Sequence, residues 1–162
     1  MAKITLTAAL DAVEITYHEL NQLATEITKE FLDPVEALVN KIRSDINNLT
    51  NDQIRNYMIQ LALTSFSLGE IKEKSSLKAE CAEALKKEAL AKHYAEAEGT
   101  SAAKDNIAVL NSTSEIVSEA LFSLVANLFK TKLDSIHRLI DVMKSVLMTR
   151  NQEAKLTNNV VD

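Results

Sequence analysis

The feature that most constrains the fold is a heptad repeat within residues 112–150, a stretch that contains neither Gly nor Pro. Its apolar positions alternate steps of four and three residues, which places them along one face of a helix that packs lengthwise against another helix. At 1.5 Å per residue this helix would be roughly 58 Å long, which is longer than one compact domain of this size requires. The sequence therefore predicts an elongated helical bundle or an oligomer. The repeat consists of Phe122, Ala126, Phe129, Leu133, Ile136, Ile140, Met143 and Leu147.

A second heptad repeat with the same alternating steps occupies the N-terminal stretch of the chain. Its members are Leu6, Leu10, Val13, Tyr17, Leu20, Ala24, Ile27 and Phe31. Two such repeats are typical of a coiled coil, which can form within one chain or between copies of it. Acidic residues lie between the apolar positions, and we expect them to form an outer face that is most simply a solvated one. These residues are Asp11, Glu14, Glu19, Glu26 and Glu30.

A third apolar stretch is broader than the two heptad repeats. It carries Ile54, Met58, Leu61 and Leu68, and it is widened by Tyr57, Ile59, Leu63 and Phe66. A helix that is apolar over so wide an arc is buried on more than one side.

Two capping boxes mark the starts of helices, one formed by Thr50 and Gln53 and the other by Ser112 and Glu115.

Besides the helix starts at Thr50 and Ser112, breaks or bends are expected at three further places. Asp33 and Pro34 predict that the first helix ends and that a short second helix begins. Gly69 predicts a break or a bend, and Gly99 is placed to end a helix rich in Lys and Glu. The sequence thus predicts an N-terminal helical region over 1–69 (a heptad helix plus two helices), a hairpin with a long C-terminal helix over 70–150, and a flexible tail over 151–162.

Composition favours helix nearly everywhere and argues against several classes of function. Only two Gly and one Pro occur in 162 residues, so the fold class is predicted to be all-α. A net charge of −5 argues against a simple, strong binder of nucleic acid. No phosphate-binding loop or nucleophile motif is present, so we expect a protein that is not an enzyme.

Cysteine and histidine usage predicts neither a disulfide nor a metal site. Cys81 is the only cysteine, which fits a reducing compartment, and its alanine neighbours predict a small packed side chain. The three histidines are far apart, and none has a second His or Cys at ligand spacing, so no metal or cofactor is expected. No apolar run reaches membrane-spanning length and no signal peptide begins the chain, which predicts a cytoplasmic protein without membrane contact.

Two basic clusters are the candidate binding residues. The first lies near the end of the Lys- and Glu-rich helix, and the second is spaced by seven residues along the C-terminal helix. Each cluster can pair with acids of a neighbouring helix or follow a phosphate backbone, and both interpretations stay open. The first cluster is Lys86, Lys87, Lys92 and His93, and the second is Lys130, His137 and Lys144.

The residues around the first cluster carry a resemblance to a known family. Lys86-Lys87-Glu88-Ala89-Leu90 leads to Gly99, and a short polar connector then precedes a long helix that contains Lys132–Asp141. This layout resembles the small helical proteins of recombination modules in tailed phages and, more distantly, the UvsY-type recombination mediators. In those families a lysine-rich helix ends at a glycine, and a long C-terminal helix supports oligomerisation. The resemblance covers roughly residues 77–150.

The resemblance implies a homo-oligomeric accessory protein of DNA recombination or replication in the host cytoplasm. It would bind single-stranded DNA and a recombinase, an annealing protein or a single-strand-binding protein, with the first basic cluster in contact with DNA. One alternative is an acidic inhibitor or adaptor that binds a basic protein, for example a phage antagonist of a host nuclease or defence complex. Another is a purely structural helical oligomer.

Overall fold

The computed structural model describes residues 6–158, and it describes the side chains of Glu14 and of residues 16–156. This part of the chain forms four helices and no strands, so the all-α prediction with a long C-terminal helix is confirmed. The helices are α1 (Leu6–Asp45), α2 (Asn51–Glu96), α3 (Ser101–Asn111) and α4 (Thr113–Asn158). The side chains of Leu6, Leu10, Asp11 and Val13 lie outside the described residues.

Pro34 lies inside α1, so one helix replaces the two that were expected on either side of it. A proline within a helix removes one backbone hydrogen bond and costs about 3 kcal/mol. Leu32 and Val35, which flank it, are both buried. Burial of one such side chain contributes about 1.5–3 kcal/mol, so continuous burial on both sides of Pro34 offsets the lost hydrogen bond.

Gly69 also lies inside a helix, because α2 continues through it without a break. A helical glycine costs about 1 kcal/mol relative to alanine, and the neighbouring burial of Leu61 and Leu68 outweighs that cost. Gly99 behaves as predicted for a glycine that follows a helix end. It has a φ of 112°, which is the left-handed region that glycine adopts most easily.

The chain divides into two compact units, each built from two separate stretches. The first unit contains residues 1–29 and 72–128, and the second contains residues 30–71 and 129–162. Helices α1, α2 and α4 each contribute to both units. The boundaries expected at residues 69 and 150 stay a prediction.

The second unit buries large apolar side chains. Phe129, Ile136 and Met143 from the C-terminal heptad repeat are at most 2% exposed. Phe31 packs edge-on against Phe129, with ring centroids 6.1 Å apart. The other buried side chains of this unit are Leu32, Val35, Val39, Ile42, Ile54, Leu61, Leu68 and Leu139.

Arg150 of α4 forms hydrogen bonds with the segment that connects α1 to α2 in the second unit. Its guanidinium donates to the carbonyl oxygens of Asn47 at 2.9 Å and of Leu49 at 2.5 Å. These carbonyls follow the end of α1, where backbone acceptors lack partners within the helix. Lys132 of α4 also pairs with Glu36 of α1, so polar contacts join the surfaces of these two helices.

The first unit differs because the buried side chains among its described residues are almost all small. They are Ala24, Thr28, Ser75, Ala82, Ala97, Ala108, Ser112 and Val125. Small side chains allow helices to approach closely, but they remove little apolar area from water. Many large apolar side chains of this unit are exposed instead, namely Tyr17, Leu23, Ile27, Leu77, Leu85, Tyr94, Ile107, Val109, Leu110 and Val117.

One of the two predicted capping boxes forms and the other does not. The Thr50 amide donates to Gln53 Oε1 at 2.8 Å, and the Gln53 amide donates to Thr50 Oγ1 at 3.2 Å, which confirms the first. The second prediction is wrong, because the Ser112 hydroxyl is buried without a hydrogen-bond partner. The Glu115 carboxylate instead accepts a hydrogen bond from Ser114 at 2.7 Å.

The backbone of Ser112 explains the failed capping box. Ser112 is the C-cap of α3, with φ −105° and ψ 19°. A side chain that caps a helix N-terminus requires an extended backbone, as at Thr100, where φ is −72° and ψ is 160° and the hydroxyl accepts from the Ala103 amide. Ser112 is the single residue between α3 and α4, and its backbone has the conformation of the α3 C-cap.

Thr50 and Ser112 should respond in opposite ways to substitution by alanine. We expect Thr50→Ala to lower the free energy of unfolding by about 1 kcal/mol, because it removes a helix cap. Ser112→Ala should leave it unchanged or raise it, because a buried hydroxyl without a partner is replaced by hydrogen. Urea unfolding followed by circular dichroism measures both. An equal loss in the two variants would contradict the account of Ser112.

Candidate interaction surfaces

An exposed apolar row runs along α1 in the first unit. Tyr17 is 61% exposed, Leu23 is 47% exposed and Ile27 is 50% exposed, and Leu20 between them is partly buried. Residues three and four positions apart are neighbours on a helix surface, so these side chains form one continuous face. We call Tyr17, Leu20, Leu23 and Ile27 the α1 face.

Acidic side chains border the α1 face. Glu19 is four residues before Leu23 and Glu26 is three residues after it, so both carboxylates lie beside Leu23 on the helix surface. Both side chains are exposed. The acidic outer surface expected from the sequence therefore adjoins exposed apolar side chains, a combination that suits a ligand with both apolar and positive groups.

The N-terminal heptad repeat is only partly buried within the chain. Ala24 is fully buried, whereas Tyr17 and Ile27 of the same repeat are exposed. The buried row of α1 runs instead through Ala24, Thr28, Leu32, Val35, Val39 and Ile42. The buried row lies on a different side of α1 from the N-terminal heptad repeat. The residues of the heptad repeat therefore lie at the edge of the buried face. In α4, Phe122, Leu133, Ile140 and Leu147 are partly buried.

A groove lies between α2 and α4 in the first unit, with a cavity volume of about 610 Å³. Leu77, Leu85 and Phe122 supply its apolar surface, and Glu115 supplies an acidic group. Cys81 also lines the groove and is exposed, so the prediction of a packed cysteine was wrong. The spacing of Leu77, Cys81 and Leu85 by four residues was the sequence signal for this groove.

The structure separates the four members of the first basic cluster. Lys86 pairs with Glu119 of α4 at 3.2 Å, and both side chains are about one quarter exposed. His93 Nδ1 is 3.6 Å from Glu96 and is half-buried. Lys87 pairs with Glu83 one helical turn away at 2.7 Å, and Lys92 is exposed. Lys86 and His93 thus share one row of α2, seven residues apart, whereas Lys87 and Lys92 lie on other sides.

The second basic cluster is exposed on α4 in the second unit. Lys130, His137 and Lys144 lie along one row, as their spacing predicted. Asp134 and Asp141 alternate with them, and Lys144 pairs with Asp141 at 3.0 Å. The row therefore presents alternating charges, whereas a phosphate backbone is best followed by uninterrupted positive charge.

The described residues contain no group of three or more His, Cys, Asp or Glu side chains that could hold a metal ion. Within that same part of the chain, no helix is long and apolar enough to cross a membrane. No protein-family model, curated protein or solved structure matches the chain. The resemblance to recombination mediators stays a prediction.

The pKa values of two exposed carboxyls are lowered by named partners. Hydrogen bonding and charge from Lys87 lower the pKa of Glu83. The Ser114 hydroxyl, followed by the Glu115 amide, lowers the pKa of Glu115. A carboxyl whose pKa falls on folding contributes stability above its unfolded pKa, and this contribution is lost as the pH falls through the folded pKa.

Lys87→Gln should return the pKa of Glu83 toward the usual value of a Glu carboxyl, because the variant removes the charge that favours the ionised form. An NMR titration of the Glu83 side-chain carboxyl carbon measures this change. Lys92→Gln, which removes the same charge from the same helix without an ion pair to Glu83, is the matched control. Equal Glu83 pKa values in the wild type and Lys87→Gln would contradict the pairing.

Proposed function

We propose that this protein is a non-enzymatic binding protein whose first unit binds a basic, amphipathic helical segment of another protein. One observation carries the proposal. Among its described residues, the first unit buries mainly Ala, Ser and Thr side chains and exposes many of its large apolar ones, such as Tyr17, Leu23 and Ile27. Covering one such side chain contributes about 1.5–3 kcal/mol, so a partner on the α1 face would supply burial that the unit lacks.

The shape and charge of the α1 face define the partner. A helix that presents a row of apolar side chains at steps of three and four matches a segment that places its own apolar row against it. Glu19 and Glu26 border the row, so the segment should carry Lys or Arg beside its apolar residues. Charges at the edge of an interface act mainly on the association rate and make that rate sensitive to salt.

Binding of a defined probe tests this proposal. The probe is a labelled helical peptide with Leu at heptad spacing and Lys at the flanking positions, titrated with the protein and followed by fluorescence anisotropy. We expect Leu23→Glu to weaken binding by about tenfold or more, since it places a charge within the apolar face. Met148→Glu, at an exposed apolar position on α4, is the control and should bind like the wild type.

The role of Glu19 and Glu26, which border the α1 face, can be tested with a matched control. Glu19→Lys with Glu26→Lys should weaken binding and reduce its dependence on salt, because the paired charges across the interface become repulsive. Glu73→Lys with Glu80→Lys changes the net charge equally, at the same seven-residue spacing, on α2. Equal losses in the two double variants would mean that net charge, and not the α1 face, binds the peptide.

Single-stranded DNA binding, in the manner of a recombination mediator that works with a recombinase or annealing protein, is the second candidate function. The observation that favours it is that Lys92 and Lys130 are exposed and take part in no ion pair among the described residues. Lys87 is also 70% exposed despite its contact with Glu83. Several copies in one oligomer would multiply such weak contacts.

Fluorescence anisotropy of a labelled single-stranded oligonucleotide at low and moderate salt tests this second function. Lys87→Ala with Lys92→Ala should weaken binding and flatten its salt dependence, because fewer phosphates are neutralised. Lys86→Ala is the control, because Lys86 is engaged by Glu119 and its loss should act on stability. No binding by the wild type at low salt would exclude this function.

A further inference from the structure

The N-terminal part of α2, within the second unit, carries a second exposed apolar row, separate from the α1 face. Residues 56–69 contain no charged side chain. Within them, Ile59 is 59% exposed, Leu63 is 63% exposed and Phe66 is 77% exposed. Their spacing of four and three residues places them on one face of the helix. We call these three residues the α2 row.

The opposite side of α2 is already occupied within the second unit. Ile54, Leu61 and Leu68 are at most 3% exposed and form the buried face of this part of the helix. The helix is therefore apolar on two sides, as the width of its apolar arc indicated. Among the residues that the structure describes, only one of these sides is covered, so a second molecule could supply the burial expected on the other side.

Charged residues of opposite sign bound the α2 row. Arg55 precedes it by one turn and Glu70 follows it by one turn, and both side chains are exposed. Arg55 also pairs with Asp52 of its own helix at 3.0 Å, and both of these side chains are more than half exposed. A second α2 helix lying antiparallel to the first could place Arg55 of each copy against Glu70 of the other. The same register brings Ile59 of each copy to Phe66 of the other, and it sets Leu63 over the small side chain of Ala62.

We propose that the α2 row binds a second copy of this chain through an antiparallel, twofold-symmetric contact centred between Ala62 and Leu63. Such a contact uses the same surface on both copies, so every favourable pair occurs twice. Parallel packing would instead place Arg55 against Arg55 and Glu70 against Glu70. The uncharged middle of the row also fits the core of a homodimer interface, which is depleted of charged residues.

The size of the α2 row sets the expected strength of this contact. Stable interfaces bury about 1,600 Å² in total, and three side chains on each copy provide less than that. We therefore expect a dimer that dissociates on dilution. The α2 row shares no residue with the α1 face, so dimerisation and peptide binding can be tested, and can fail, independently of each other.

Charge exchange between Arg55 and Glu70 is the decisive experiment, with sedimentation velocity over a range of protein concentrations. Arg55→Glu alone and Glu70→Arg alone should each weaken dimerisation by about tenfold or more, because both create two like-charge contacts. An equimolar mixture of these two variants should form a heterodimer, because each of its two charged contacts then joins an acid to a base. The variant with both changes should dimerise more strongly than either single variant, since its two intermolecular ion pairs are reversed, although it loses the Arg55–Asp52 pair within its own helix.

Phe66→Ser tests the apolar part of the same contact. It should shift the protein toward monomer, while Leu156→Ser, at another exposed apolar position of the second unit, should not. Circular dichroism verifies that each variant keeps its helix content. A wild type that stays monomeric at every concentration would overturn the proposal. A dimer that is unaffected by Phe66→Ser and by both charge variants would overturn it equally, because the contact would lie elsewhere.

Discussion

Burial of Phe129, Ile136 and Met143 along α4 is the interaction on which the second unit depends. The same unit buries Leu32 and Val35 around Pro34 in α1, and Leu61 and Leu68 before Gly69 in α2, and both helices continue through these residues. Pro34 and Gly69 each favour a helix break, but neither breaks its helix. In both cases a break would remove large neighbouring side chains from the core. Intrinsic helix propensity is a weak term beside such packing.

The first unit is organised on the opposite principle. Its buried side chains are mainly Ala, Ser and Thr among the described residues, and many of its large apolar side chains are exposed. A unit of this kind gains little from the hydrophobic effect by itself and gains more when its outer faces are covered. Among the described residues, the second unit therefore buries most of the large apolar side chains of the core, whereas the first unit buries mainly small ones.

Sequence patterns predicted the all-α fold and the long C-terminal helix, but not the continuity of α1 through Pro34 and of α2 through Gly69, nor which apolar faces are covered. The cap at Thr50 and the glycine at Gly99 depend on local backbone chemistry, which the sequence contains. The exposure of Tyr17 and Ile27 depends on how far α1 is rotated toward its neighbours, which heptad spacing does not specify. The Ser112 cap failed for a related reason, because one residue serves two helices and its backbone fits only the first.

The contacts of Arg150 have a consequence for the order of folding. The carbonyls of Asn47 and Leu49 accept hydrogen bonds from the guanidinium of Arg150, which lies about a hundred residues later in the chain. These hydrogen bonds can therefore form only after Arg150 has been synthesised. Residues 30–71 likewise meet their core partners only after residues 129–158 have left the ribosome. Contacts so distant in sequence slow folding, because a long loop must close before they form. During synthesis, α1 and α2 are therefore exposed to other chains and to chaperones before the second unit is complete.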